Sequence, residues 1–290
     1  MNANPNPMQP YLARRQSQAH RFAIRGLNYF LRHWPTQAKA RHQILMLHGW
    51  MDVSASFQFL VDHLPGDIEV FAPDWRGYGQ SSAAQSDTYW FADYLADLDA
   101  LITVLQSEQL ISGPMPLLGH SMGGKVAMHL ALSYPELVGR LTVVDIAPRS
   151  YSDRVRVEFT AMNSIDLTKI KSRRDAENQL MDTVTDWGMR QFILTNLNSD
   201  EKGVWKWTVN REALTHSLKS ILDFDINDSK VFNGPTRFIR GGKSNYISDA
   251  DFILIKKYFP QADIITLPES GHNPHFDSRV EFVDAVLKSL

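Results

Sequence analysis

The sequence contains no cysteine. That excludes disulfides, thiolate metal centres and a cysteine nucleophile, and it suits a reducing, cytoplasmic setting. An apolar run long enough to span a bilayer is also missing, so no membrane span is expected. Neither charge sign dominates: 30 Lys+Arg against 32 Asp+Glu leave a formal net charge of -2. Such a balance gives no pull toward phosphate backbones or anionic lipid and argues against nucleic acid as a partner. Internal repeats and low-complexity tracts are absent as well, which excludes solenoids and disordered repeat proteins. What is there is 290 residues with 43% hydrophobic content, enough for one large core or two modest domains.

Residues 1–19 carry Pro5, Pro7, Pro10, Arg14 and Arg15 without an apolar centre, so they do not read as a secretory signal. Three prolines would also interrupt the amphipathic helix of a transit peptide, and a flexible tail is expected there. From His20 onward short apolar runs alternate with helical stretches, the pattern of a largely parallel sheet covered by helices. The opening differs: two alternating runs around Gly26 predict an antiparallel hairpin. Ile44–Leu47 and Val70–Pro73 read as strands buried on both faces. The stripe Phe91, Tyr94, Leu95, Leu98, Leu101, Ile102 and Leu105 predicts a core-facing helix. Pro116–Leu118 and Leu141–Val144 are further strands, with a helix over Met122–Ser133 between them. Strand signals then stop from residue 149 to about residue 231 and resume at Thr236–Arg240 and Asp263–Leu267, before a closing helix over Arg279–Leu290. The expected organisation is an α/β core of residues 20–148 and 232–290 with a helical cap of residues 149–231 inserted. Within the cap, Phe159, Met162, Met181, Trp187 and Phe192 are candidates for lining an apolar pocket.

Gly119-His120-Ser121-Met122-Gly123 matches the G-x-S-x-G nucleophile elbow, in which glycines let a strand turn sharply into a helix with an exposed serine at the corner. About 0.05 chance matches are expected in a chain of this length, and the flanking strand and helix add the required context. The simpler reading, a glycine-rich turn that only packs, lacks that support. A serine hydroxyl needs a base, and the base needs an acceptor that fixes its tautomer. His272 follows the strand ending at Leu267 and is the base candidate. His275 competes with it, and the H-x-x-H spacing of the two could suggest a metal, but Pro274 and the absence of neighbouring ligand residues argue against one. The acid is open. A carboxylate is expected after the strand that follows the cap, yet Ser244 stands there in Gly241-Gly242-Lys243-Ser244-Asn245-Tyr246. Asp145 ends the strand Leu141–Val144 at the carboxyl edge of the sheet, where catalytic groups collect. Asp249 is the alternative acid, with a helix N-cap as its simpler role. For the oxyanion, the amide of Met122 begins a helix and that of Trp50 lies in the loop His48-Gly49-Trp50-Met51; His48 reads as a brace for that loop.

On Leu47-His48-Gly49-Trp50, Pro73-Asp74-Trp75-Arg76-Gly77-Tyr78-Gly79-Gln80-Ser81, Gly119–Gly124 and Gly271-His272, the sequence resembles the abhydrolase family of α/β-hydrolase esterases. It is similar, more narrowly, to a subgroup of small bacterial and mitochondrial esterases or thioesterases through Val144-Asp145-Ile146-Ala147-Pro148, Arg190–Leu197, Trp205-Lys206-Trp207 and Gly241–Tyr246. The resemblance runs from about His20 to Leu290. It implies the α/β-hydrolase fold, assigns the acid to Asp145, and implies hydrolysis of small-molecule acyl esters or thioesters through an acyl-enzyme without metal or organic cofactor. Carbon–carbon bond hydrolysis and perhydrolysis reuse the same residues, and a noncatalytic receptor would keep the pocket without the chemistry.

Overall fold

Adjacent residues of the central strands serve different cores, which explains their unbroken apolarity. In β3 (His42–Leu47), Leu45 and Leu47 join one buried cluster and Ile44 and Met46 the other, as the two-residue period of a strand requires. The computed structural model describes residues 14–36, 40–84, 89–152, 157–227 and 229–290. The chain opens with β1 (Gln18–Ile24) and β2 (Leu27–Trp34), the expected antiparallel hairpin. After β3 come α1 (Gln58–His63), β4 (Ile68–Pro73), α2 (Phe91–Ser107), β5 (Met115–His120), α3 (Met122–Ser133) and β6 (Val138–Val144). The eight-stranded sheet has the order β1-β2-β4-β3-β5-β6-β9-β10, with β9 (Thr236–Gly241) and β10 (Ala262–Leu267) at its far edge. Every pairing from β4 to β10 is parallel, and β2 alone runs against its neighbours.

Between β6 and β9 lie α4 (Val157–Ser164), α5 (Arg173–Leu180), α6 (Trp187–Thr195), β7 (Leu197–Ser199), β8 (Trp205–Trp207) and α7 (Arg211–Leu222). The sequence predicts only helix and irregular chain here, but β7 and β8 pair as a small antiparallel hairpin. At three residues each they are too short for alternation to register. After β9 come α8 (Asp251–Tyr258), then β10, α9 (Pro274–Asp277) and α10 (Arg279–Leu287). One face of the sheet is covered by α2, α3 and residues of the inserted segment, the other by α1 and α10.

The described residues already include part of the expected tail. β1 starts at Gln18, and Arg15 donates from Nη2 to the Ile68 carbonyl at 2.8 Å and from its backbone N–H to Asp62 at 2.8 Å. The rest of the expected tail, residues 1–13, lies outside the described residues. Among the described residues no helix is long and apolar enough to cross a membrane.

Candidate active site

β3 and β5 are neighbours from which the chain departs in opposite directions, so their carboxyl ends flank a crevice of the kind where ligands bind in open α/β sheets. Ser121 sits at that crevice, between β5 and α3, with φ 51° and ψ -118°. For a non-glycine residue this conformation costs about 1–3 kcal/mol. Neighbouring glycines make the turn sterically achievable. A Cβ on Gly119 would stand 2.4 Å from the Gly123 carbonyl oxygen, and one on Gly123 would stand 2.2 Å from that of Leu47.

The loop after β10 brings His272 over this corner. Its Nε2 lies 3.0 Å from Ser121 Oγ, and its Nδ1 lies 2.9 Å from Asp145 Oδ2. Asp145 is fully buried and, like Ser121, holds a positive φ of 49°. Its Oδ1 accepts from the Gly241 backbone N–H at 2.9 Å, and its Oδ2 also accepts from the Ser244 hydroxyl. The carboxylate therefore meets three donors, the arrangement that suits an ionised acceptor. From the other side, His120 Nε2 donates to the His272 backbone carbonyl at 2.8 Å. Ser121, His272 and Asp145 come together from three separate loops.

Asp249 does not join them. Its side chain is 85% exposed and pairs with Arg240 instead of His272. Its simpler role fails too, because the N-cap of α8 is Ala250, one residue later. Ser244, which the sequence marks only by the carboxylate it lacks, is instead a donor to the carboxylate that follows β6. Tyr246 also stands at this corner, which the sequence does not reveal. Its ring stacks on His272 with centroids 3.7 Å apart and an interplanar angle of 16°. The signal was the turn Gly241–Tyr246 itself, whose contacts involve partners too far away in sequence to read.

The loop 48–51 packs directly on the elbow: a Cβ on Gly49 would lie 3.3 Å from Ser121 Cβ. His48 braces it, with Nδ1 donating to the Gly49 carbonyl at 2.8 Å and Nε2 accepting from the Trp75 backbone N–H at 3.1 Å. Trp50 sits in this loop next to Met51, whose φ is 57°. Met122 is the first residue of α3, where backbone N–H groups have no intrahelical acceptor and the helix dipole favours negative charge.

His275 is buried on α9 and meets His120 edge-on, with ring centroids 4.7 Å apart, and makes no bond to Ser121. With Asp52 these two histidines form a buried polar cluster. Its three ligand atoms lie within 4.8 Å of one another, so the fold gives His275 neighbouring ligand residues that the sequence does not show. Asp52 Oδ2 and His275 Nε2 are 4.0 Å apart, whereas ligands bound at about 2.1 Å in a tetrahedron lie roughly 3.4 Å from each other. Asp52 is committed elsewhere, accepting from the Val53 N–H at 2.8 Å and the Ser56 hydroxyl at 2.9 Å.

Burial sets the charge of these groups. It lowers His48 to about 4 and His120 to about 3, takes His275 well below the ordinary histidine value, and pushes Asp52 up to about 7. A histidine lowered in the fold binds its proton first in the unfolded chain, so its stabilisation is present above pH 6.5 and lost as pH falls through that window. Asp52 works oppositely, costing stability as pH rises from 3.8 toward 7. Three imidazoles outweigh one carboxyl. The urea midpoint of unfolding should fall steadily from pH 6.5 to 4; a midpoint that is flat or rising over that range would contradict these protonation states.

The inserted segment is tied to this corner. Asn196 Nδ2 donates to the Met51 carbonyl at 2.8 Å, and Phe159 meets Trp50 edge-on with ring centroids 4.9 Å apart. Lys125, buried on α3, donates to the carbonyls of Ile221, Leu222 and Asp223 at the end of α7, at 3.1, 2.6 and 2.7 Å. Of the five apolar residues that could line a pocket, Phe159 and Met162 are buried and Phe192 is half-buried, but Met181 and Trp187 are 54% and 65% exposed. Both stand at helix ends, where the apolar stripe no longer faces the core.

A sequence profile of the α/β hydrolase fold matches residues 43–278. The chain belongs to the α/β-hydrolase family. This hydrolase is 36% identical over 255 residues to the sn-1-specific diacylglycerol lipase ABHD11 of Danio rerio, covering 85% of this chain and 78% of that protein. It is 27% identical over 248 residues to Esterase YbfF of Escherichia coli, covering 85% of this chain and 91% of that one. Among solved structures, a marine microorganism esterase superposes with a TM-score of 0.81 at 28% identity, over 90% of this chain and 99% of the other. The hydrolase is an ester-hydrolysing enzyme.

Proposed function

We propose that the protein hydrolyses small-molecule acyl esters or thioesters through an acyl-enzyme on Ser121. The observation that carries this reading is the continuous chain of bonds from Ser121 Oγ through His272 to Asp145, at 3.0 and 2.9 Å. His272 Nε2 takes the serine proton as Oγ attacks the carbonyl, then returns it to the leaving alcohol or thiol. Water, activated by the same nitrogen, releases the acid. Asp145 holds the proton on Nδ1 and stabilises the imidazolium. The backbone amides of Trp50 and Met122 receive the oxyanion, and the placement of loop 48–51 against Ser121 supports that role. No step draws on a metal or organic cofactor.

Residues 149–231 act as a cap whose lining selects the acyl group, with Phe159 packed edge-on against Trp50 of the oxyanion loop. The lipase relatives favour an ester of a lipid-like acyl chain. A cytoplasmic setting suits the lack of cysteine. The test is a panel of p-nitrophenyl esters and acyl thioesters of graded chain length. Turnover is expected to peak at one length, and Phe159→Ala should move that peak toward longer chains while changing the best kcat by less than about tenfold. No turnover across the panel would defeat the reading.

A further inference from the structure

We infer that Tyr246 is a positioning residue for the base, its ring face stabilising the His272 imidazolium that forms when Ser121 gives up its proton. This rests on His272 being that base. Both hydrogen bonds of the imidazole, to Asp145 and to Ser121, lie in its ring plane. They set the ring's direction but do nothing for its faces. Tyr246 covers one face at 3.7 Å between centroids, within 16° of parallel. The face of an aromatic ring carries negative potential, so it attracts a cation stacked on it. Neutral imidazole gains little from that potential and imidazolium gains more. The interaction therefore strengthens as the proton arrives, which is the condition for lowering a barrier rather than merely holding the ground state.

The ring is held for this task from both sides of its backbone. Tyr246 N–H donates to Ser244 Oγ at 3.2 Å, and its carbonyl accepts from the Tyr151 hydroxyl at 2.7 Å. Tyr151 is fixed in turn by the Ala147 N–H, which donates to its hydroxyl at 2.7 Å, and burial holds its phenol above the ordinary tyrosine value, so it stays a donor. The Tyr151 ring backs Tyr246 at 5.4 Å. One turn after β9 thus supplies both Ser244, which bonds the acid, and Tyr246, which covers the base. An aliphatic side chain would fill the same space without the potential.

The test uses the full chain with p-nitrophenyl butyrate as substrate and a fluorophosphonate as an independent probe of serine reactivity. Tyr246→Leu should lower kcat and the labelling rate together by roughly 3- to 30-fold, with KM within about twofold of wild type. Tyr246→Met, equally apolar and ringless, repeats the measurement in a second background. Tyr246→Phe keeps the ring face and should retain kcat to within about twofold. In NMR spectra the His272 ring protons should lie upfield in the wild type and in Tyr246→Phe relative to Tyr246→Leu. Unchanged kcat in both ringless variants, an effect confined to KM, or a loss in Tyr246→Phe equal to that in Tyr246→Leu would overturn the inference. Full activity in His272→Gln would instead remove the base assignment on which it rests.

Discussion

Replacing Ser121 by alanine should abolish ester turnover and fluorophosphonate labelling together, with kcat falling on the order of 10⁶-fold. The size follows from the loss of the only atom that forms the acyl bond, which leaves a residual rate from binding and oxyanion stabilisation alone. The fold should survive. Alanine is as small at Cβ as serine, bears the same strain at φ 51°, and leaves the backbone bond from residue 121 to the Val144 carbonyl intact. An unchanged thermal melt with no labelled band is the expected pair of results; turnover retained by the variant would end the assignment of Ser121.

Asp145→Asn is expected to lower kcat about 10⁴-fold with a smaller effect on KM. The geometry of the acid explains why so similar a side chain fails. The Gly241 backbone N–H faces Oδ1 at 2.9 Å and cannot turn away, so an asparagine must place its carbonyl oxygen there. Its NH₂ group then stands at the Oδ2 position, 2.9 Å from His272 Nδ1 and beside the Ser244 hydroxyl. A donor now faces Nδ1, the ring proton moves to Nε2, and the nitrogen beside Ser121 can no longer accept. Asp249→Asn, at an exposed ion pair, should leave kcat within about twofold. Ser244→Asp added to Asp145→Asn should recover part of the loss, because Ser244 Oγ already bonds the atom that carries the missing charge. Full activity in Asp145→Asn, or no difference between it and Asp249→Asn, would remove Asp145 from the site.

The residues of the proposed triad were legible because each sits at the end of a strand whose apolar run marks it locally. Ser121 carries its own five-residue pattern, His272 follows Leu267, and Asp145 follows Val144. The choice between Asp145 and Asp249 was not local, since it turns on which carboxylate meets a histidine more than a hundred residues away for one and about twenty for the other. Tyr246, Ser244 and the cluster of Asp52, His120 and His275 were hidden for the same reason. His120 reads as a variable position of the elbow, and only its bond to the His272 carbonyl gives it a task.

By itself the sequence determined the order of strands and helices in the α/β core, the elbow pattern, a candidate base and the lack of any disulfide or thiolate site, because these depend on period, on local turn chemistry and on composition. Tertiary structure decided how the pieces meet. It brought Asp145 rather than Asp249 to His272, turned Ser244 from a missing carboxylate into a donor, laid Tyr246 over His272, paired β7 with β8, and turned Met181 and Trp187 outward. Each of these depends on distances between segments remote along the chain. Such distances follow from the packing of both faces of the sheet at once, which no local pattern of residues encodes.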